Sequence, residues 1–209
     1  MRAVVCVPGG VELAEVPDPV AGAGEVIVEV DACGLCGSDV HVAERGLGRP
    51  GHILGHEFSG RIAAAGPGVT GWQAGQAVAV NPVGCCRACR ACQRGIPWRC
   101  ETTLNLGISA PGGYAQYVAV PQGHLVALPG GLDPELGAHA EPLAVALRAL
   151  RTAGVGPGDS ALVYGVGPIG LNVIMGLRLA GAEMIVGAGR SPGLRFRDCH
   201  LRILRLMRV

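Results

Sequence analysis

ALVYGVGPIGLNVIMGLRLAGAEMIVGAGR, residues 161–190, reads as strand, glycine turn, helix and strand. An apolar run, ALVY, leads into G-x-G-x-x-G at Gly165, Gly167 and Gly170, and a helical apolar run follows. Alone, such a pattern is weak. Between a strand and a helix it has the context its chemistry requires. Glycines at those positions let the backbone approach a pyrophosphate, which the free N–H groups of the helix N-terminus then face. Gly165, Gly167, Pro168, Ile169 and Gly170 are therefore candidate dinucleotide contacts, in a parallel α/β sheet of the Rossmann kind.

Downstream, the second strand ends in Gly189-Arg190-Ser191, where an NAD site places Asp or Glu against the ribose hydroxyl. Without that carboxylate, and with Arg190 as a phosphate partner, the reading favours NADP(H) over NAD(H). Residues 194–209, LRFRDCHLRILRLMRV, change texture to alternating Arg and Leu. They read as an off-pattern tail. A short basic helix with Leu201, Leu204 and Met207 on one face is the rival. Only the first two strands of the dinucleotide fold are expected, so the Rossmann part, 151–209, reads as truncated.

Upstream, CCRACRACQRGIPWRC (85–100) holds five of the nine cysteines. Disulfides, a metal and a redox patch compete as readings. Cys86, Cys89, Cys92 and Cys100 follow C-x2-C-x2-C-x7-C, a spacing that lets four thiolates wrap one zinc tetrahedrally and leave no open position. Such a zinc is structural. Arg87, Arg90, Arg94 and Arg99 offset the charge of the thiolates, Gly95 and Pro97 let the loop turn back, and Cys85 is a spare thiol.

A second constellation lies in DACGLCGSDVH (31–41) and GHILGHEFSG (51–60). Cys36 follows a glycine turn, and His56 and Glu57 are adjacent. A thiolate, an imidazole and a carboxylate make a three-ligand zinc site with one position open, the arrangement of a catalytic zinc. Ser38, Asp39 and His41 follow Cys36 closely.

Bulk properties set limits. The chain has 209 residues and a formal net charge of +1; all 17 basic residues are Arg, and aromatics make up 3%. Neither the charge nor the aromatic count suits nucleic acid, and no apolar run suits a membrane. The N-terminus, MRAVVCVPGGVELAEV, has no signal-peptide pattern, so a cytoplasmic protein with reduced thiols is expected, which sets disulfides aside. His52, His124 and His139 receive no role.

GLCGSDVH, GHEFSG, the four-cysteine loop and PGGYAQYVAVP, in this order, resemble the zinc-dependent medium-chain dehydrogenases. AEPLAVALRAL (140–150) is most similar to their sorbitol, threonine and butanediol dehydrogenase branch. The resemblance covers about residues 1–193. It implies a GroES-like β-barrel domain over 1–150 carrying both zinc sites, followed by the partial Rossmann domain. Cys36, His56 and Glu57 match the catalytic zinc ligands, and Glu141 matches a carboxylate that approaches that zinc. Ser38 and His41 match the proton relay, Asp39 matches a carboxylate orienting the His ligand, and the four cysteines match the structural zinc. It further implies two Zn2+ per chain and hydride transfer between a secondary alcohol or polyol and NAD(P), with a small-molecule alcohol or ketone as substrate and a possible homo-oligomer. A truncated, non-catalytic zinc-binding remnant is the alternative.

Overall fold

The computed structural model describes residues 1–189 and 201–205. The chain falls into two compact units, Met1–Glu141 and Pro142–Val209.

In the first unit, β1 (Arg2–Val7) and β2 (Gly10–Glu15) form an antiparallel hairpin. Its two-residue turn is Pro8-Gly9; proline presets the first backbone angle and Gly9, at φ 88, supplies the left-handed one. The β-branched β3 (Glu25–Gly34) leads to α1 (Gly37–Arg45). Next come β4 (Glu57–Ala65), β5 (Ala77–Val80) and the short β6 (Val83–Gly84), then the one-turn α2 (Arg90–Gln93) within the cysteine loop. β7 (Leu104–Asn105) pairs with β6; β8 (Tyr117–Pro121), β9 (Leu125–Ala127) and the one-turn α3 (Pro134–Gly137) complete the unit.

Five strands form one antiparallel sheet in the order β8-β3-β4-β5-β9. Its two edge strands are successive in the chain, separated only by the 3-10 turn Gln122–His124. The chain therefore passes from one edge of the sheet to the other in a single turn. The expected GroES-like unit is present as this curved, open five-stranded sheet, without a ladder between β8 and β9 among the described residues. Val26, Val28, Phe58, Ile62, Val78, Val80, Val118 and Val120 fill the interior.

An irregularity in β3 positions the site. Val30 pairs with Gly60 and Ala32 with Ser59, so Asp31 is an extra residue. Such a bulge bends a strand and re-aims its remaining side chains. Past the bulge, Gly34 comes opposite Glu57, which sets the nearby Cys36 beside His56 and Glu57.

α4 (Ala140–Ala153), which enters the second unit at Pro142, precedes β10 (Ser160–Tyr164), α5 (Pro168–Leu179), β11 (Met184–Gly189) and β12 (Leu201–Arg205). The three strands are parallel, in the order β10-β11-β12. Leu150 is buried with Val163, Ile174 and Leu177, so α4 packs with the strands and helix that come after it. For this reason the units divide at Glu141/Pro142, whereas the sequence reading placed the division at 150/151.

Two expectations for the tail are corrected. Leu201–Arg205 is a strand, not a turn of basic helix, and it adds a third parallel strand where two were expected. Ladder hydrogen bonds to the otherwise free edge of β11 outweigh the weak helical spacing of so short a stretch. Arg190, Met207 and the rest of the tail lie outside the described residues. Among the described residues no helix is long and apolar enough to cross a membrane.

Candidate metal centres and the glycine turn

Cys36 is the N-cap of α1, and Asp39, three residues on, reaches back to accept its backbone N–H at 3.3 Å. A carboxylate in a helix's first turn is favoured by the free N–H groups and by the dipole. The same Asp39 is 4% exposed, and its Oδ1 lies 3.4 Å from Nδ1 of His56. Donor atoms of Cys36, His56 and Glu57 all lie within 4.8 Å of one another. β4 supplies Glu57, and His56 immediately precedes it, so the β3–β4 pairing assembles the trio. Glu57 needs Gly34 opposite it: a Cβ at Gly34 would fall on the Glu57 carboxylate.

Charge organises the trio. Burial pushes the Asp39 carboxyl up, but contacts with His56 and Tyr114 and the Cys36 N–H outweigh it and hold Asp39 below the usual carboxylate range. His56 is pushed up to about 9, first by the Asp39 carboxylate and against the effect of burial. An anionic Asp39 beside the imidazole is the arrangement that keeps a ligating histidine oriented. The donor set of one sulfur, one nitrogen and one carboxylate suits zinc, with a fourth position left for another ligand.

Other expected members stand apart. Glu141 lies outside the close trio; burial raises its carboxyl pKa, with His56 lowering and Glu57 raising it, so its charge is felt there. Ser38 and His41 are exposed on α1, three residues apart and thus on one helix face.

The four-cysteine loop assembles as its spacing predicts. Sγ atoms of Cys86 and Cys92, and of Cys89 and Cys100, are 4.0 Å apart; those of Cys86 and Cys100 are 3.5 Å apart. Four sulfurs at ~2.3 Å around zinc would be about 3.8 Å from one another, so these separations fit a tetrahedron. They are far too long for disulfides, and all eight cysteines among the described residues are free thiols. Backbone N–H groups of Cys89 and Cys86 point at the sulfurs of Cys86 and Cys100, at 3.2 and 3.3 Å. Such donors hold Cys86 down to about 6 and lower Cys100, while burial and the neighbouring thiols raise Cys92. Arg87 takes a left-handed φ of 58 and Gly95 one of 72, which double the loop back.

In the second unit, Gly165 has φ 97, and its N–H donates to the Ala188 carbonyl at 2.7 Å. Gly167 caps α5 with open space where a Cβ would stand, and Pro168 takes the first helical position. A Cβ at Gly170 would strike the Gly165 carbonyl, so the third glycine permits close packing of helix on turn. Ile169 comes next in the first turn of the helix and is exposed.

Sequence reasoning missed Tyr114. Its hydroxyl lies 2.8 Å from Asp39 Oδ2 and 3.0 Å from the Gly34 carbonyl. The only signal was an aromatic after two glycines in PGGY; its partner is 75 residues away.

The alcohol dehydrogenase GroES-like domain family matches residues 22–130. L-galactonate-5-dehydrogenase of Escherichia coli (strain K12) is 35% identical over 181 residues, 85% of this chain and 52% of the relative. The crystal structure of galactitol-1-phosphate dehydrogenase from Escherichia coli superposes with a TM-score of 0.85 at 34% identity, over 92% of this chain and 56% of that one. An alcohol dehydrogenase from Escherichia coli CFT073, complexed with cofactor NADH, gives 0.83 at 34% identity, over 91% and 57%. The chain thus spans about half the length of the curated relatives it matches. A family match over more than half of its residues makes this chain a member of the alcohol dehydrogenase GroES-like domain family.

Proposed function

We propose that this chain carries the metal-binding and dinucleotide-binding parts of an oxidoreductase that interconverts a secondary alcohol or polyol and its ketone. The observation that carries the reading is the convergence of Cys36, His56 and Glu57 donors within 4.8 Å, a three-donor set with room for a fourth ligand. When bound there, zinc supplies Lewis acidity that makes a substrate hydroxyl easier to deprotonate, and a nicotinamide dinucleotide supplies the hydride acceptor.

The chain's own residues do the rest. Asp39 orients the His56 ring. Ser38 takes the substrate proton, and His41, one helical turn on and exposed, hands it to solvent. Glu141 adds a nearby carboxylate. Cys86, Cys89, Cys92 and Cys100 hold a second, structural zinc, for two per chain. Gly165, Gly167, Pro168, Ile169 and Gly170 receive the pyrophosphate, and Arg190 favours NADP(H). The substrate is a small molecule, and the thiols stay reduced, as in the cytoplasm.

Titrating the zinc-loaded chain with NADPH and then NADH, monitored by reduced-nicotinamide fluorescence, tests this. Saturable binding with preference for NADPH, and turnover of secondary alcohols, is the expected result. A chain that holds two zinc ions but neither dinucleotide would sink the oxidoreductase reading and leave a non-catalytic zinc protein.

A further inference from the structure

Tyr114 stands where the segments carrying the three donors meet. Its backbone is pinned on both sides: the N–H donates to the Leu54 carbonyl at 3.0 Å, and its own carbonyl accepts from Val4 at 2.8 Å. Its ring lies against Gly55, where a Cβ would come within 2.8 Å of the ring carbon Cδ1. Gly55, at φ 93, immediately precedes His56. The phenol hydrogen has two acceptors in reach, Asp39 Oδ2 at 2.8 Å and the Gly34 carbonyl at 3.0 Å. The carboxylate is closer and charged, so it takes the stronger bond. Gly34 is also the residue whose bare Cα makes room for the Glu57 carboxylate.

Asp39 is consequently held at one oxygen. Oδ2 accepts from Tyr114 and from the Cys36 N–H at 3.3 Å, which leaves Oδ1 facing His56 Nδ1 at 3.4 Å. A carboxylate with one oxygen fixed in this way cannot rotate its other oxygen off the imidazole. Tyr114 thus touches the Cys36 segment through Asp39, the His56 segment through Gly55, and the Glu57 cradle through Gly34, without being a ligand itself.

We propose that Tyr114 is a positioning residue of the three-donor site, its hydroxyl fixing the Asp39 carboxylate that orients His56 and thereby setting zinc affinity there. This rests on reading Cys36, His56 and Glu57 as a zinc site. The test uses the full chain and zinc alone, in competition with a chromophoric chelator. Tyr114→Phe keeps the ring, its packing on Gly55 and the backbone bonds, and the four-cysteine site in the same molecule reports intact folding.

Wild-type chain should take two equivalents. Y114F should bind the one at the three-donor site about tenfold more weakly, with the four-cysteine affinity unchanged. Against an Asp39→Asn background, Y114F should add no further loss, because its action runs through that carboxylate. Two equivalents with unchanged affinities in Y114F would overturn the positioning role and leave the site reading standing. So would a loss that persists in full in the D39N background, or one that also affects the four-cysteine site. A wild-type chain that takes only one equivalent would overturn the site reading itself.

Discussion

His124 is a buried imidazole with a bond of its own: Nδ1 donates to the Asn81 carbonyl at 2.8 Å, and the ring lies against Gly84. Burial lowers its pKa, the Asn81 carbonyl opposes this, and the charge of Arg87 adds to the lowering. The folded state therefore resists protonation more than the unfolded one does. Stability is complete above the unfolded value of about 6.5 and is lost as pH falls from there through the lower folded value. The urea midpoint of the wild-type chain should drop between pH 7.5 and pH 5, and less steeply in His124→Asn; parallel slopes would show that His124 does not contribute. Gly84→Ala is the steric counterpart. Its Cβ would meet the His124 ring, and the variant should lose about 1–3 kcal/mol of stability in the same denaturation experiment. Gly34→Ala belongs to the same class at the other site. There the clash is with Glu57, so zinc affinity at the three-donor site should fall while the four-cysteine site keeps its own.

Local sequence specifies some elements more fully than others. Residues 86–100 contain their whole ligand set, so spacing alone announces the cluster. The glycine turn is equally local, with a positive-φ glycine, an open one and a close-packed one inside six residues. The three-donor site depends on the β3–β4 pairing and on the Asp31 bulge, and spacing cannot reveal that register. Tyr114 and Asp39 were still harder to connect, because only the folded sheet brings so distant a pair together. β12 went unread because Leu201 and Leu204, three apart, follow helical spacing, and only the pairing with β11 makes the stretch a strand. The cysteine loop offers a test at this scale. No residue of α2 or of the 3-10 turn Pro97–Arg99 is buried, so little apolar packing holds the loop when metal is absent. Chelation at neutral pH should expose it to trypsin at Arg87, Arg90, Arg94 and Arg99, while the strands that bury Phe58 and Val78 stay intact. Equal cleavage with and without zinc would mean that the loop is not metal-organised.

Across the molecule, the metal ligands and the glycine turn belong to different units. Both donor clusters fall within Met1–Glu141, and among the described residues of Pro142–Val209 no group of three donors comes together. The second unit has its own apolar core, Leu150, Val163, Val166, Ile174, Leu177 and Ile185. A ligand that binds only the folded state stabilises what it binds, by about 2.7 kcal/mol when its free concentration is a hundredfold above Kd. That stabilisation reaches only those amides whose opening breaks the site. Adding zinc to the metal-free chain should therefore slow hydrogen exchange in β3, β4 and residues 85–100. Exchange in β10, α5 and β11 should stay as it was, whereas a nicotinamide dinucleotide should slow it at residues 165–171. Zinc protection that spreads equally through α5 would show that the two units open as one. Exchange that zinc leaves unchanged in β3 and β4 would show that the three donors, close as they are, hold no metal.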